Sequence, residues 1–327
     1  MQKEAAMIQN ELITVLFWDD MAQYMCFEKS LYADYFPATN TAPLNTPAPE
    51  AYSKKLRQYW VDKIQTKAEF VRRIHNYAAS QDTLRWEDQS TPHCETLRQD
   101  NILGALKNGG YKNGERRYQL YKEMASAWAF HLKDYAAAVH GAQNDAMILE
   151  LSVGAGLGTC AVVETLLPAN HMYGVDIDFE CARNVDGIAA YFNVSDRVCG
   201  LGANFWFLPF PDNVFDCVCA HYGLDESREV QAVLGEAARV MKPGGRLVAL
   251  VRKNPYARQK FILDMFGIAQ GESRELLQKA RLYSGVEDLA ALAAQHGLLL
   301  TSQKIYEPDT GHHRALCVFT KVEAGNG

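Results

Sequence analysis

Met147-Ile-Leu-Glu-Leu-Ser-Val-Gly-Ala-Gly-Leu-Gly-Thr159, with Tyr173-Gly-Val-Asp176 behind it, is the stretch that decides the fold of this chain. An apolar run ends in Glu150 and a glycine-rich turn. A helix is predicted next, and a second apolar run ends in Asp176. That is the layout of a nucleotide-binding βαβ unit, in which an acid about 20 residues beyond the glycines holds ribose hydroxyls. The spacing narrows the ligand. A dinucleotide turn wants a third glycine three positions after the second, and Thr159 stands there. Gly154, Gly156 and Gly158 alternate instead, with Glu150 at the strand end.

This pattern resembles the first motif of class I S-adenosylmethionine (SAM) dependent methyltransferases. Segments further along resemble the same family. Leu208-Pro-Phe-Pro-Asp-Asn-Val-Phe-Asp216 is similar to the stretch leading into the family's fourth strand, which Cys217-Val-Cys-Ala220 continues. Glu229 to Met241 reads as an amphipathic helix, and Lys242-Pro-Gly-Gly-Arg-Leu-Val-Ala-Leu-Val251 resembles the turn and fifth strand that follow. The likeness runs from Tyr118 to Lys321. It implies an α/β, Rossmann-like class I methyltransferase fold: a mostly parallel seven-stranded sheet with a C-terminal antiparallel hairpin, helices on both faces and an N-terminal helical region.

Composition sets bounds on partners. The 327 residues suffice for one large domain or two modest ones. A net charge of −6 argues against a broad phosphate-binding surface, so no nucleic-acid partner is expected. The eight cysteines form no metal-ligand cluster, and no metal is expected. Cys217 and Cys219 read as strand core, with their side chains expected on opposite faces. The amino terminus lacks a basic-then-apolar signal and no apolar run is long enough to span a bilayer, so a cytoplasmic protein is expected.

The first third reads helical and aromatic. Glu50 to Ser80 places Tyr52, Leu56, Tyr59, Trp60, Ile64, Val71 and Ile74 along one helical face. Asn108-Gly-Gly-Tyr-Lys-Asn-Gly114 is the best linker, because clustered glycine and asparagine fit neither a helix nor a strand interior. Residues 1–114 are therefore expected to form a helical cap or docking region and 115–327 the SAM-binding domain. Arg116 to His140 reads as a helix before the first strand. Val286 to His296 reads as a helix ended by Gly297, and Leu298–Tyr306 and Arg314–Lys321 as strands. Their short connection demands antiparallel pairing.

The resemblance assigns residues to a bound SAM. Gly154 and Gly156 let the backbone approach the ligand, Glu150 opens the loop and contacts the cofactor's amino group, and Ser152 stands where the family has glycine. Asp176, preferred over Asp178, takes both ribose hydroxyls, with Ile177 beside it. Asn204 and Phe205 are expected at the adenine, Asn204 replacing the family's aspartate. Ala220-His221-Tyr222 follow the fourth strand and face the transferable methyl, His221 as the base candidate and Tyr222 orienting the acceptor. Tyr118, Tyr121 and Tyr256 are candidates to line the acceptor. No Asn/Asp-Pro-Pro-aromatic tetrad follows that strand, which counts against several amino acceptors.

The expected activity is methyl transfer from SAM, leaving S-adenosylhomocysteine (SAH), to an oxygen or nitrogen atom of a small molecule. Two alternatives are a protein or peptide side-chain methyltransferase and a non-catalytic SAM sensor or partner subunit. Oligomeric state stays open, a homodimer included.

Overall fold

A computed structural model of the chain describes residues 131–322, apart from 142, 155, 177–178, 204, 207, 228–229, 253–282 and 307–313, together with Ala68, Val71 and His75. The elements run α1 (Leu132–His140), β1 (Met147–Leu151), α2 (Leu157–Glu164), β2 (His171–Asp176), α3 (Phe179–Tyr191), β3 (Val198–Gly202), β4 (Phe215–His221), α4 (Gly223–Glu226), α5 (Val230–Val240), β5 (Met241–Arg252), α6 (Val286–Ala294), β6 (Leu298–Tyr306) and β7 (Arg314–Lys321). They build one seven-stranded sheet in the order β3-β2-β1-β4-β5-β7-β6. β1 to β5 are parallel, whereas β7 runs antiparallel between β5 and β6. The order reverses at β1 and β4, and a crevice outside the carboxyl ends of these strands is where such sheets take ligands.

Alternation along each strand explains why the sheet needs two covers. All of β1 is buried, as expected of a central parallel strand. Leu149, Val218 and Leu247 face one side and pack with Val233 of α5 and Leu289 of α6. Ile148, Met172 and Val248 face the other and pack with Tyr135 of α1, Val162 of α2 and Val185 of α3. Each large apolar side chain buried here is worth roughly 1.5–3 kcal/mol.

Cys217 and Cys219 share that second face, which corrects the expectation that they point apart. Residues two apart on a strand lie on one side of the sheet. The Lys242-Pro-Gly-Gly segment also differs from a simple turn. β5 starts at Met241, straight after α5, pairs there with Phe215, and shifts register before Arg246 pairs with Cys217. The proline and glycines are thus taken up as a bulge on the strand, with Gly244 at φ +73°. The closing hairpin is antiparallel over the expected spans.

From the first third, Val71 packs on the core of the α5/α6 face, and the His75 ring meets Tyr173 edge-on at 6.0 Å.

Candidate active site

One half of the site lies at the ends of β1 and β2. Gly154 and Gly156 adopt φ +53° and +82°, left-handed backbone that favours glycine. Among the described residues, a side chain at Gly154 would meet nothing within 4 Å, so the turn is open on that side. The Gly154 N–H donates to Asp176 Oδ2 at 2.8 Å, and its carbonyl accepts from Asn184 Nδ2 at 2.9 Å. The turn is thereby fixed against the end of β2. Ser152 also has positive φ, +57°, at the position where the family has glycine.

Glu150 is completely buried. Its Oε2 accepts from the Thr159 hydroxyl at 2.5 Å, while Oε1 has no hydrogen-bond partner among the described residues. Burial pushes its carboxyl up to about 8; the Thr159 bond opposes this and the neighbouring Asp176 carboxylate adds to it. A buried acid with one oxygen lacking a partner is suited to a cation. These residues fit SAM: an open glycine turn, a carboxylate anchored at the second strand and an acid for the ligand's ammonium.

The other half gathers on the α1/α2 face beyond β4 and β5. His221 ends β4 two residues past Cys219, and its Nε2 lies 3.2 Å from Nε2 of His131, the residue before α1. The two ring centres lie 5.4 Å apart with their planes 28° from parallel, and Tyr135 packs edge-on against His221. His131 is fully buried, whereas His221 keeps part of its surface exposed. Burial holds His131 at about 3; nearby Arg314 pushes the same way and Asp134 opposes it. Burial, His131, Arg252 and Arg314 together keep His221 well below the usual imidazole range. Both rings are therefore uncharged at neutral pH.

Tyr222 turns the chain out of β4 at φ +65°, a conformation that costs a bulky residue about 1–2 kcal/mol. Its N–H donates to the Leu250 carbonyl at 2.9 Å, which holds the turn. The guanidinium of Arg252 lies 4.4 Å from the Tyr222 ring centre and that of Arg314 5.6 Å. The Tyr222 hydroxyl is buried with no hydrogen-bond partner among the described residues. Arg252 is fixed by fully buried Asp225 at 2.8 Å, and Tyr283 donates to the same carboxylate. Arg252 and Arg314 face each other in register across β5 and β7. Behind them, Asp134 of α1 accepts from Tyr306 at 2.6 Å and Lys304 at 2.5 Å, tying α1 to the hairpin.

The two halves meet at Gly158, in the first turn of α2. A Cβ there would lie 2.6 Å from both Glu150 Oε1 and His221 Cβ, so no larger residue fits without a shift.

Among the sequence candidates, Glu150, Ser152, Gly154, Gly156 and Asp176 converge at one strand-end cluster, and His221 and Tyr222 lie beside it. Phe205 packs in the core, stacked on Trp206 at 6.4 Å, and Ala220 is buried on the α5/α6 face. Ile177, Asp178, Asn204, Tyr118, Tyr121 and Tyr256 lie outside the described residues. His131, Tyr135, Arg252, Asp225 and Arg314 went unread in the sequence. A signal existed for two of them: each arginine interrupts an apolar strand at the end that faces the site.

Comparison with known proteins bears on the family and the fold. Residues 149–249 match a family model described as a methyltransferase domain. The chain is 31% identical over 215 residues to a demethylmenaquinone methyltransferase of Bacillus licheniformis, covering 60% of this chain and 90% of that one. It is 27% identical over 198 residues to a ubiquinone/menaquinone biosynthesis C-methyltransferase UbiE of Hahella chejuensis, covering 56% and 80%. A geranyl diphosphate methyltransferase, solved with GPP and sinefungin, shares the fold at a TM-score of 0.50 with 14% identity, over 72% of this chain and 96% of its own.

The fold and the site thus define a SAM-binding α/β enzyme. This chain belongs to the class I SAM-dependent methyltransferase family, and it is an enzyme of that kind. Among the described residues, no helix is long and apolar enough to cross a membrane.

Proposed function

We propose that this methyltransferase acts on a small, flat, hydroxylated ring and places the methyl on a ring carbon beside the hydroxyl. The observation that carries the reading is Tyr222, its hydroxyl buried without a hydrogen-bond partner among the described residues, flanked by Arg252 and Arg314 next to uncharged His221. An aromatic wall suits a flat acceptor, and the buried phenol lacks only an oxygen to bond. The likeness to a ubiquinone/menaquinone biosynthesis C-methyltransferase supports the choice of carbon, in place of the oxygen or nitrogen expected from the sequence.

SAM, when bound, supplies a methyl already activated by its sulfonium. The chain then has to position and to move one proton. Asp176 takes the ribose hydroxyls, Glu150 the ammonium, and Ser152 and Gly156 border the methionine end. Ile177, Asn204 and Phe205 would serve the nucleoside side, and Ala220 would support the strand end. Tyr222 donates its O–H to the acceptor's ring oxygen. His221 accepts the proton that the acceptor loses as its new carbon–carbon bond forms. That proton leaves a strongly acidic, methylated ring, so an imidazole held below its usual basicity suffices. Residues 1–114, with Tyr118, Tyr121 and Tyr256, cap the acceptor.

The test is turnover with ¹³C-methyl SAM against hydroxylated naphthalene and benzene rings, with peptides as the comparison. A ¹³C signal in a carbon-bound methyl is expected. An oxygen- or nitrogen-bound methyl overturns the choice of carbon. Methylated peptide with untouched rings overturns the acceptor class, and SAH binding without any turnover favours a sensor.

A further inference from the structure

The structure points to a positioning residue that neither the family motifs nor the relatives assign: we propose that His131 fixes the tautomer of His221, so that His221 presents a bare Nδ1 to the acceptor. The inference rests on His221 taking the acceptor's proton, as proposed above. His131 is fully buried just before α1, whereas His221, at the end of β4, is partly exposed. This pairing is that of a base and the group that orients it.

The hydrogen bond between them decides the chemistry available. Two neutral imidazoles joined through Nε2 atoms at 3.2 Å share one proton. If His131 were the donor, His221 would carry its own proton on Nδ1 and have no nitrogen left to accept another. If His221 is the donor, its Nε2–H is spent on His131 and Nδ1 keeps its lone pair. Only the second arrangement makes His221 a base. When His221 takes the acceptor's proton at Nδ1, the cation keeps its Nε2–H bond to His131, and the proton later leaves from Nδ1 to water.

The surroundings keep the pair uncharged beforehand. Facing it are Tyr135 and Asp134 from α1, Glu150 from β1, Tyr222 beyond β4, Arg252 from β5, Tyr306 from β6 and Arg314 from β7. Asp134, ionised and engaged by Lys304 and Tyr306, favours an imidazolium at His131 but is outweighed by burial and Arg314, and Glu150 holds its proton. The two arginines oppose an imidazolium.

Imidazole ¹⁵N correlation spectra of the free wild-type protein test the tautomers without any acceptor. The expected spectrum has His221 protonated on Nε2, His131 protonated on Nδ1, and neither ring titrating near neutral pH. The reverse tautomers overturn the proposal, whatever the acceptor proves to be. His131→Ala and His131→Gln give the second readout. The alanine variant is expected to lower kcat on the order of tenfold, with KM and SAH affinity unchanged and a shifted pH profile. Glutamine, whose amide oxygen can accept the same bond, restores part of the loss. Unchanged kcat, or SAH affinity and melting temperature falling in step with it, sinks the idea. Should neither variant fold, the wild-type spectrum decides.

Discussion

The cofactor half and the acceptor half of this site hold their protons in opposite ways. Between β1 and β2 sits an acid that keeps its proton: Glu150, pushed up to about 8 by burial. Beyond β4 and β5 sit bases that refuse theirs: His131, held at about 3, and His221. Desolvation is the leading cause in both halves, since burial penalises the charged form of any group. Glu150 and the two histidines therefore arrive at the same uncharged state from opposite sides, and they differ in what is expected to charge them. A ligand ammonium ionises Glu150, whereas only the transferred proton charges His221.

The harshest way to break the acceptor half is Arg252→Met. It leaves the fully buried Asp225 carboxylate without its cation and is expected to cost roughly 3 kcal/mol in urea unfolding. Adding Asp225→Asn should recover part of that loss. The cofactor half is broken at Asp176, the proposed ribose anchor. Asp176→Ala removes charge-assisted bonds and should weaken SAH on the order of a hundredfold by calorimetry. If both variants damaged both properties equally, the division into halves would be wrong.

Titration sharpens the same contrast. Unfolded Glu150 ionises above 4.5 while the folded acid keeps its proton to about 8. Its contribution to stability therefore falls as pH rises through that window and is flat above it. Unfolded His131 takes up a proton below 6.5 that the folded ring refuses until about 3, so its contribution falls as pH drops from 6.5. Glu150→Gln should flatten the alkaline side of the stability profile and His131→Gln the acid side. SAH binding should expel a proton from Glu150, so affinity rises with pH and levels off above about 8. 5′-Methylthioadenosine, which lacks the ammonium, should expel none. The smallest effect is expected at Ser152→Gly, where relief of a positive φ gives about 0.5–1 kcal/mol of stability and leaves the acceptor half untouched.

The same division explains what could be read in the sequence. Glu150, Gly154, Gly156 and Asp176 fall within one βαβ unit, where local spacing alone brings them together. The closing hairpin was equally legible, because a short connection permits one pairing only. The acceptor half is built from His131, His221, Arg252, Tyr306 and Arg314, which sheet order joins across long stretches of chain. Strand alternation held one neglected clue. Cys217, Cys219 and His221 share a face, so reading the cysteines on one side would have placed His221 over the α1/α2 layer, where His131 waits.

The hairpin also sets an order on the ribosome. Among the described strands β6 pairs only with β7, so β6 is synthesised before the strand that joins it to the sheet. Arg314 is the first residue of that last strand. A chain cut short before it already carries Glu150, both turn glycines and Asp176, yet lacks the second cation beside Tyr222. Synthesis therefore delivers the residues proposed to hold the methyl donor before Arg314, which is proposed to flank the acceptor.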